Sequence, residues 1–136
     1  MRVLGLDYGE ARTGVAISDA LGITAQGIET IEHGNNEKKL IQRIKELVLE
    51  YQVAKIVIGY PLNMNASVGP RAEKTDRLVV KLESELGLEV VKIDERLTTV
   101  SAHQVMRDLN VKKDRKKKIV DTISAEYILQ VYLDRN

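Results

Sequence analysis

The chain has 136 residues, 43% of them apolar and 30% charged, with no cysteine and a formal net charge of +1. This length and balance suit one domain, over residues 1–136, with its own hydrophobic core. The lack of cysteine excludes disulfides and thiolate metal sites. No apolar stretch approaches the ~20 residues that cross a bilayer, and because a strand is predicted directly after Met1 we expect no signal peptide. We therefore expect a cytoplasmic protein that does not enter a membrane.

The first third of the chain predicts an antiparallel hairpin and one further strand. Apolar runs at 2–7 and 14–19 are joined by a turn too short for a crossover, so the two strands must be antiparallel. Residues 23–31 predict a third strand, although their alternation is weaker. Asn35 and Asn36 then offer an N-cap for a helix whose apolar residues recur at helical spacing from Leu40 to Tyr51.

The rest of the chain alternates strands and helices. Apolar runs at 54–58 and 88–93 predict buried parallel strands, and 59–69 predicts a loop. Helices are predicted at 70–86, beginning with Pro70, at about 98–109, and at roughly 117–133. Such alternation implies right-handed crossovers and a mostly parallel sheet. The predicted fold is α/β and ribonuclease H-like, with a mixed five-stranded sheet (an antiparallel three-strand side and two parallel strands) flanked by helices.

Acidic residues fall where the predicted parallel strands end. Asp7 ends the first strand, and Asp94 and Glu95 end the last one. Ligands of open α/β sheets bind beyond the carboxyl ends of the strands, so these acids should meet at one rim. Asp94 and Glu95 project to opposite faces while the strand lasts, and their alternation alone does not choose between them.

Asp121, on the last predicted helix, is the third candidate acid. The small side chains of Ser124 and Ala125 would let this helix approach the sheet and turn Asp121 toward Asp7. A partly buried carboxylate needs a partner or a metal, and a place at the helix start would favour its ionised form. Three carboxylates at one rim suit Mg²⁺ or Mn²⁺, and two such ions about 3.5–4 Å apart can catalyse phosphodiester hydrolysis.

Basic residues near these acids predict contacts with phosphate groups. Six of the seven residues from 112 to 118 are basic, and this run precedes Asp121 closely. Lysine and arginine hold phosphates without reading sequence. The candidate nucleic-acid contacts are Arg12, Asn63, Arg71, Arg96, Lys112, Lys113, Arg115, Lys116, Lys117 and Lys118.

Purely structural interpretations compete with these assignments. Asp7 could form an Asx turn, Glu95 could pair with Arg96 on the surface, and Asp121 could be a first-turn carboxylate of its helix. The basic run could be a solvated loop, and Asn63 could serve only to form a turn.

Other candidate groups are weaker. His33 and His103 are isolated in the sequence, and we interpret them as surface or helix residues. Tyr8, beside Asp7, offers a stacking surface, but the chain has too few aromatics for a base-stacking platform.

Taken together, the motifs resemble the YqgF or RuvX-like family of Holliday junction resolvases and pre-16S ribosomal RNA processing nucleases. The matching segments are Gly-Leu-Asp-Tyr-Gly at 5–9 with 12–16, Gly-Tyr-Pro-Leu-Asn-Met at 59–64, Asp-Glu-Arg-Leu-Thr-Thr at 94–99, and 120–125 running into 128–130. The resemblance implies a divalent-metal nuclease with Asp7, Glu95 and Asp121 as metal ligands and catalytic residues, and so favours Glu95 over Asp94. Two departures are Ala66, where the family often has Gly, and Ser124, where it usually has Ala.

Two other functions compete with a nuclease. Actin-like proteins and sugar kinases also begin with an apolar strand, Asp, Gly and a hairpin, but they need a second lobe that 136 residues cannot supply. A non-catalytic RNA-binding or ribosome-assembly factor would keep the fold alone, and the presence of all three acids argues against it. The substrate (precursor rRNA or branched DNA) stays open, as does the oligomeric state. We expect a monomer or a weak homodimer, since symmetric cutting of two strands would favour a two-fold dimer.

Overall fold

Five strands form one sheet, in the order β3-β2-β1-β4-β5. The computed structural model describes residues 1–97 and 113–135. The strands are β1 (Arg2–Tyr8), β2 (Arg12–Ser18), β3 (Ala25–Glu32), β4 (Val53–Tyr60) and β5 (Val90–Asp94). The helices are α1 (Glu37–Tyr51), α2 (Pro70–Leu86) and α3 (Lys113–Leu133), with a short 3₁₀ turn, Glu95–Leu97, after β5.

The sheet is mixed, as predicted. β1 pairs antiparallel with β2, and β2 with β3, whereas β1 pairs parallel with β4, and β4 with β5. In this register Asp7 lies opposite Gly14 of β2, and Tyr60 opposite Asp94. The carboxyl ends of β1, β4 and β5 therefore lie side by side at one edge of the sheet, and the ribonuclease H-like layout is confirmed.

The first two helices begin where their capping residues predict. Asn36 caps α1 and accepts a hydrogen bond from the Lys39 amide at 3.1 Å, an interaction that typically stabilises a helix by about 1 kcal/mol. Pro70 opens α2, and Gly87 ends it in the left-handed conformation. The helix predicted at about 98–109 lies outside the described residues.

The last helix begins at Lys113, so the prediction of a start near Lys117 was wrong by one turn. Lysine and arginine are good helix formers, and neither glycine nor proline interrupts 112–118. Residues 113–118 of the basic run therefore belong to the helix rather than to a loop before it.

Both faces of the sheet are buried. Helices α1 and α2 cover one face, where Leu4, Leu6, Ile44, Ile58 and Leu82 belong to a single apolar cluster. Helix α3 covers the other face, where Ala16, Val57, Ile93, Ala125, Ile128 and Leu129 pack together. The alternation along β1 thus divides its residues between two cores. In the part of the chain that the structure describes, no helix has the length and apolar character needed to span a bilayer.

Candidate active site

Asp7 and Glu95 meet at the carboxyl edge of the sheet and share a side-chain hydrogen bond. Asp7 alternates with Gly5, whose Cβ position faces Leu129, so it lies on the α3 side of β1. Burial, the bond to Glu95 and the nearby negative charges raise the pKa of Asp7 to about 8, whereas Arg71 opposes this rise. A protonated Asp7 therefore donates to the Glu95 carboxylate at neutral pH.

The neighbouring acids Asp94 and Glu95 have different partners. The Asp94 carboxylate accepts bonds from Arg96, with Nη2 at 2.6 Å and Nε at 3.0 Å. This bonding lowers the pKa of Asp94 below its ordinary value. Alternation along the strand left the two acids equivalent, and the structure brings Glu95, not Asp94, to Asp7. The surface pair with Arg96, which was the alternative interpretation of Glu95, is formed by Asp94 instead.

Gly59 makes room for Glu95 to cross β4. A Cβ at position 59 would lie 2.6 Å from Glu95 Oε1 and 2.7 Å from the Ile128 side chain. Any larger residue would push Glu95 or α3 away from the sheet. The sequence interpretation missed this role, although glycine at the end of a buried strand signals a close approach.

Asp121 lies well inside α3, at its ninth residue, and not at the helix start. The prediction that a helix N-terminus stabilises its charge was therefore wrong, and so was the first-turn alternative. Its charge partner is Arg12, whose Nε lies 2.9 Å from Asp121 Oδ2. Gly14 allows the contact between α3 and β2, because a Cβ there would collide with the Asp121 backbone. Asp121 is close enough to Asp7 to raise its pKa.

The donor set fits a hard divalent cation. Two carboxyl groups in contact require a proton or a cation between them, and a third carboxylate stands nearby. In the present conformation, within residues 1–97 and 113–135, no three acidic or histidine side chains are arranged to hold a metal ion. The reason is visible in the contacts, since Asp7 turns to Glu95 while Asp121 turns to Arg12.

Outside the basic run, the predicted phosphate contacts fall into three groups. Arg12 and Arg96 are engaged by carboxylates, and Arg96 also approaches the Met64 carbonyl at 3.3 Å. Arg71 is exposed at the start of α2, and its positive charge opposes the rise in the pKa of Asp7. Asn63 bonds to the Ser67 hydroxyl at 3.0 Å and so helps to form its turn.

The basic run is divided by the edge of the described region. Lys112 lies outside it, whereas Lys113, Arg115, Lys116, Lys117 and Lys118 occupy the first two turns of α3.

His33 is buried, with 6% of its surface exposed, so the interpretation as a surface or helix residue was wrong. Its Nδ1 lies 2.8 Å from the Gly34 carbonyl and its Nε2 2.9 Å from Thr13 Oγ1. The carbonyl accepts only from Nδ1–H, so Nε2 accepts from the threonine hydroxyl. Burial lowers the pKa of His33. Its ring stacks near that of Tyr8, with 6.2 Å between the centroids, and an isolated histidine in the sequence gave no signal of this packing. His103 lies outside the described residues.

The mixed sheet, with acids gathered at the carboxyl ends of its parallel strands, defines a ribonuclease H-like protein. Two solved structures share this fold: T. thermophilus RuvC in complex with a Holliday junction substrate, and the Fowlpox virus resolvase in complex with Holliday junction DNA. The first has a TM-score of 0.64 and 14% identity, over 99% of this chain and 95% of that one. The second has a TM-score of 0.59 and 14% identity, over 99% and 98%. At these identities the likeness concerns the fold alone.

Sequence comparison defines the family. A family model described as RuvX, Holliday junction resolvase, matches residues 1–135. A candidate pre-16S rRNA nuclease of Ruminiclostridium cellulolyticum is 55% identical, over 99% of this chain and 95% of its own length. A relative of the same name in Listeria monocytogenes serotype 4b is 50% identical, over 98% of each chain. The chain therefore belongs to the RuvX Holliday junction resolvase family, and the resemblance seen in its motifs is confirmed.

Proposed function

We propose that the protein is a cytoplasmic, divalent-metal-dependent nuclease that hydrolyses phosphodiester bonds in structured nucleic acid. Asp7, Glu95 and Asp121 hold Mg²⁺ or Mn²⁺ at the carboxyl edge of the sheet. Membership of a resolvase family supports the reaction class. It also leaves no support for the ATP-binding alternative.

The observation that carries this proposal is the contact between Asp7 and Glu95, with Asp121 beside it. Two carboxylates repel when both are ionised, so a fold that presses them together is arranged to receive positive charge. Burial, the hydrogen bond to Glu95 and the negative charges of Glu95 and Asp121 together raise the pKa of Asp7 to about 8, so this position disfavours a negative charge that no cation balances. A merely structural acid at a turn would not need two acidic neighbours drawn from β5 and α3.

The three acids come from separate elements, and close contacts at two glycines position two of them. Glu95 passes over Gly59, and Asp121 is set by the contact of α3 with Gly14. Bound Mg²⁺ or Mn²⁺ would neutralise the phosphodiester and lower the pKa of an attacking water. Arg12 would then be released from Asp121 to contact a phosphate, as Arg71 can from the start of α2.

Two substrates agree with the names of the relatives. Those at 50–55% identity are named for pre-16S rRNA, and the family is described by the Holliday junction. Both present the same phosphodiester to the three acids, so we propose precursor rRNA or branched DNA as the substrate class. Bacterial rRNA precursors reside in the cytoplasm, which supports that compartment.

The test compares wild type with Asp7→Asn on a structured 16S precursor RNA and on a four-way DNA junction. Each is incubated with Mn²⁺ and with chelator. We expect cleavage of at least one substrate by wild type, loss of cleavage in chelator, and a rate at least about 100-fold lower for Asp7→Asn. Binding without cleavage by wild type would favour the non-catalytic RNA-binding alternative.

A further inference from the structure

The two flanks of α2 carry opposite charge. The flank toward β5 is acidic, where Asp76 pairs with Lys92 and Glu83 accepts from the Val90 amide at 3.1 Å. The flank toward β1 and α1 is basic, with residues at intervals of three and four that share one side of a helix. Its members are Arg71, Lys74, Arg77 and Lys81.

The basic flank begins beside the candidate active site and leads away from it. Arg71 follows the first residue of α2 and acts on Asp7. One turn further, Lys74 Nζ lies 5.8 Å from the centroid of the Tyr8 ring. Lys81 closes the row by pairing with Glu37 of α1, at 3.0 Å. The row thus begins at the carboxyl end of β1 and ends against the start of α1.

Three of these four cations form no salt bridge within 4.0 Å among the described residues. Salt bridges within 4.0 Å occupy Arg12, Arg43, Lys55, Lys81, Lys92 and Arg96. Arg71, Lys74 and Arg77 take part in none of the salt bridges found within residues 1–97 and 113–135, even though Glu73 lies between them in sequence. Arg71 and Arg77 are exposed, and Lys74 is half-buried against Tyr8. Cations in a row that form no salt bridge are suited to a partner that carries a row of negative charges.

We propose that Arg71, Lys74 and Arg77 form a contact surface for the sugar–phosphate backbone of one nucleic-acid strand that leads to the candidate active site. Six residues of helix span about 9 Å. One strand of a duplex carries a phosphate about every 3.4 Å along the axis, so this length matches two to three phosphates. Lys74 lies over the Tyr8 ring. Contacts between cationic side chains and phosphates do not distinguish one base from another, so we expect binding that is independent of sequence. This inference rests on the proposed function and adds a second binding side, because α2 and α3 cover opposite faces of the sheet.

The experiment measures binding in chelator, so that cleavage does not enter. Wild type, Lys74→Gln/Arg77→Gln and the charge-retaining Lys74→Arg/Arg77→Lys are titrated with a labelled four-way DNA junction and a labelled RNA stem–loop over a series of salt concentrations. Loss of two phosphate contacts should reduce the slope of log K against log salt by about 1.4–1.8, equally for unrelated sequences. The charge-retaining variant should keep the wild-type slope.

Lys45→Gln provides the matched control, since Lys45 is an exposed lysine two turns beyond Glu37 on α1. It should leave the slope unchanged. An unchanged slope for Lys74→Gln/Arg77→Gln would overturn the inference, as would an equal loss in Lys45→Gln or in the charge-retaining variant. These outcomes are independent of cleavage, so a protein that binds through α2 but never cuts would refute the proposed nuclease and leave the contact surface intact.

Discussion

Asp7 and Glu95 are hydrogen-bonded through their side chains, although Asp7 belongs to β1 and Glu95 follows β5. The strand between them, β4, carries glycine at the point where Glu95 crosses it. Asp121 approaches from α3 while bound to Arg12. In this conformation the acids are therefore held by one hydrogen bond and one ion pair, and the proposed metal site would require both contacts to be exchanged for contacts with the cation.

The Asp7 pair makes the stability of the metal-free protein depend on pH. The folded pKa of Asp7 is about 8, against 3.8 for an unperturbed aspartate. Between these values the folded state binds more protons than the unfolded state, so the free energy of unfolding falls as pH rises from about 4 to 8. Asp7→Asn removes this titration, and we expect it to be more stable than wild type at pH 8 by about 1–3 kcal/mol.

Urea unfolding at pH 5 and pH 8 in chelator measures this difference. The exposed Glu50, changed to Gln, serves as a control and should follow wild type. If Asp7→Asn lost stability with pH as steeply as wild type, Asp7 would not be the group that holds the proton.

Gly59→Ala should damage the site more than the fold. The added Cβ would meet Glu95 at 2.6 Å and Ile128 at 2.7 Å, so Glu95 must move. We expect a cleavage rate lower by about 10- to 100-fold and a loss of about 1–3 kcal/mol in unfolding free energy. Gly27→Ala is the control, because its Cβ would be tight at 3.0 Å against Thr122 instead of Glu95. Equal rates for the two folded variants would contradict the role assigned to Gly59.

Ala66 has a backbone angle φ of +67°, in the left-handed region where only glycine is free of strain. The resemblance to the family already marked this position as one that often holds glycine. Ala66→Gly should therefore raise the unfolding free energy by up to about 1 kcal/mol, since relief of strain exceeds the entropy gained by the unfolded chain. A urea midpoint at or below that of wild type would show that the loop carries no such strain.

Much of the fold could be predicted because its elements have strong local signals. Apolar runs, the Asn36 cap and Pro70 placed the strands and two helices to within a few residues. The start of α3 was missed because a run of basic residues resembles a solvated loop in sequence, while its helix propensity is high. The burial of His33 was also unpredictable, because the hydrogen-bond partner of its buried Nε2 is the hydroxyl of Thr13, which lies on strand β2.

The site was predictable in its acids but not in its ion pairs. Strand order brings Asp7 and the end of β5 to one edge, and that follows from topology. The choice of Glu95 over Asp94 depends on a bend after β5 that alternation does not encode. The pairing of Arg12 with Asp121 joins residues far apart in sequence. The position of the basic flank of α2 follows from the contacts of Lys74 with Tyr8 and of Lys81 with Glu37, which sequence spacing does not predict.

The neighbouring acids Asp94 and Glu95 provide the most direct test of the proposed site. The measurement is the Mn²⁺-dependent cleavage rate of wild type, Glu95→Gln and Asp94→Asn on precursor RNA and on a four-way junction. We predict a loss of at least about 100-fold for Glu95→Gln, whereas Asp94→Asn, which removes only a surface pair with Arg96, stays within a few-fold of wild type. Cleavage by Glu95→Gln at the wild-type rate, or an equal loss in Asp94→Asn, would contradict a metal site built on Asp7, Glu95 and Asp121.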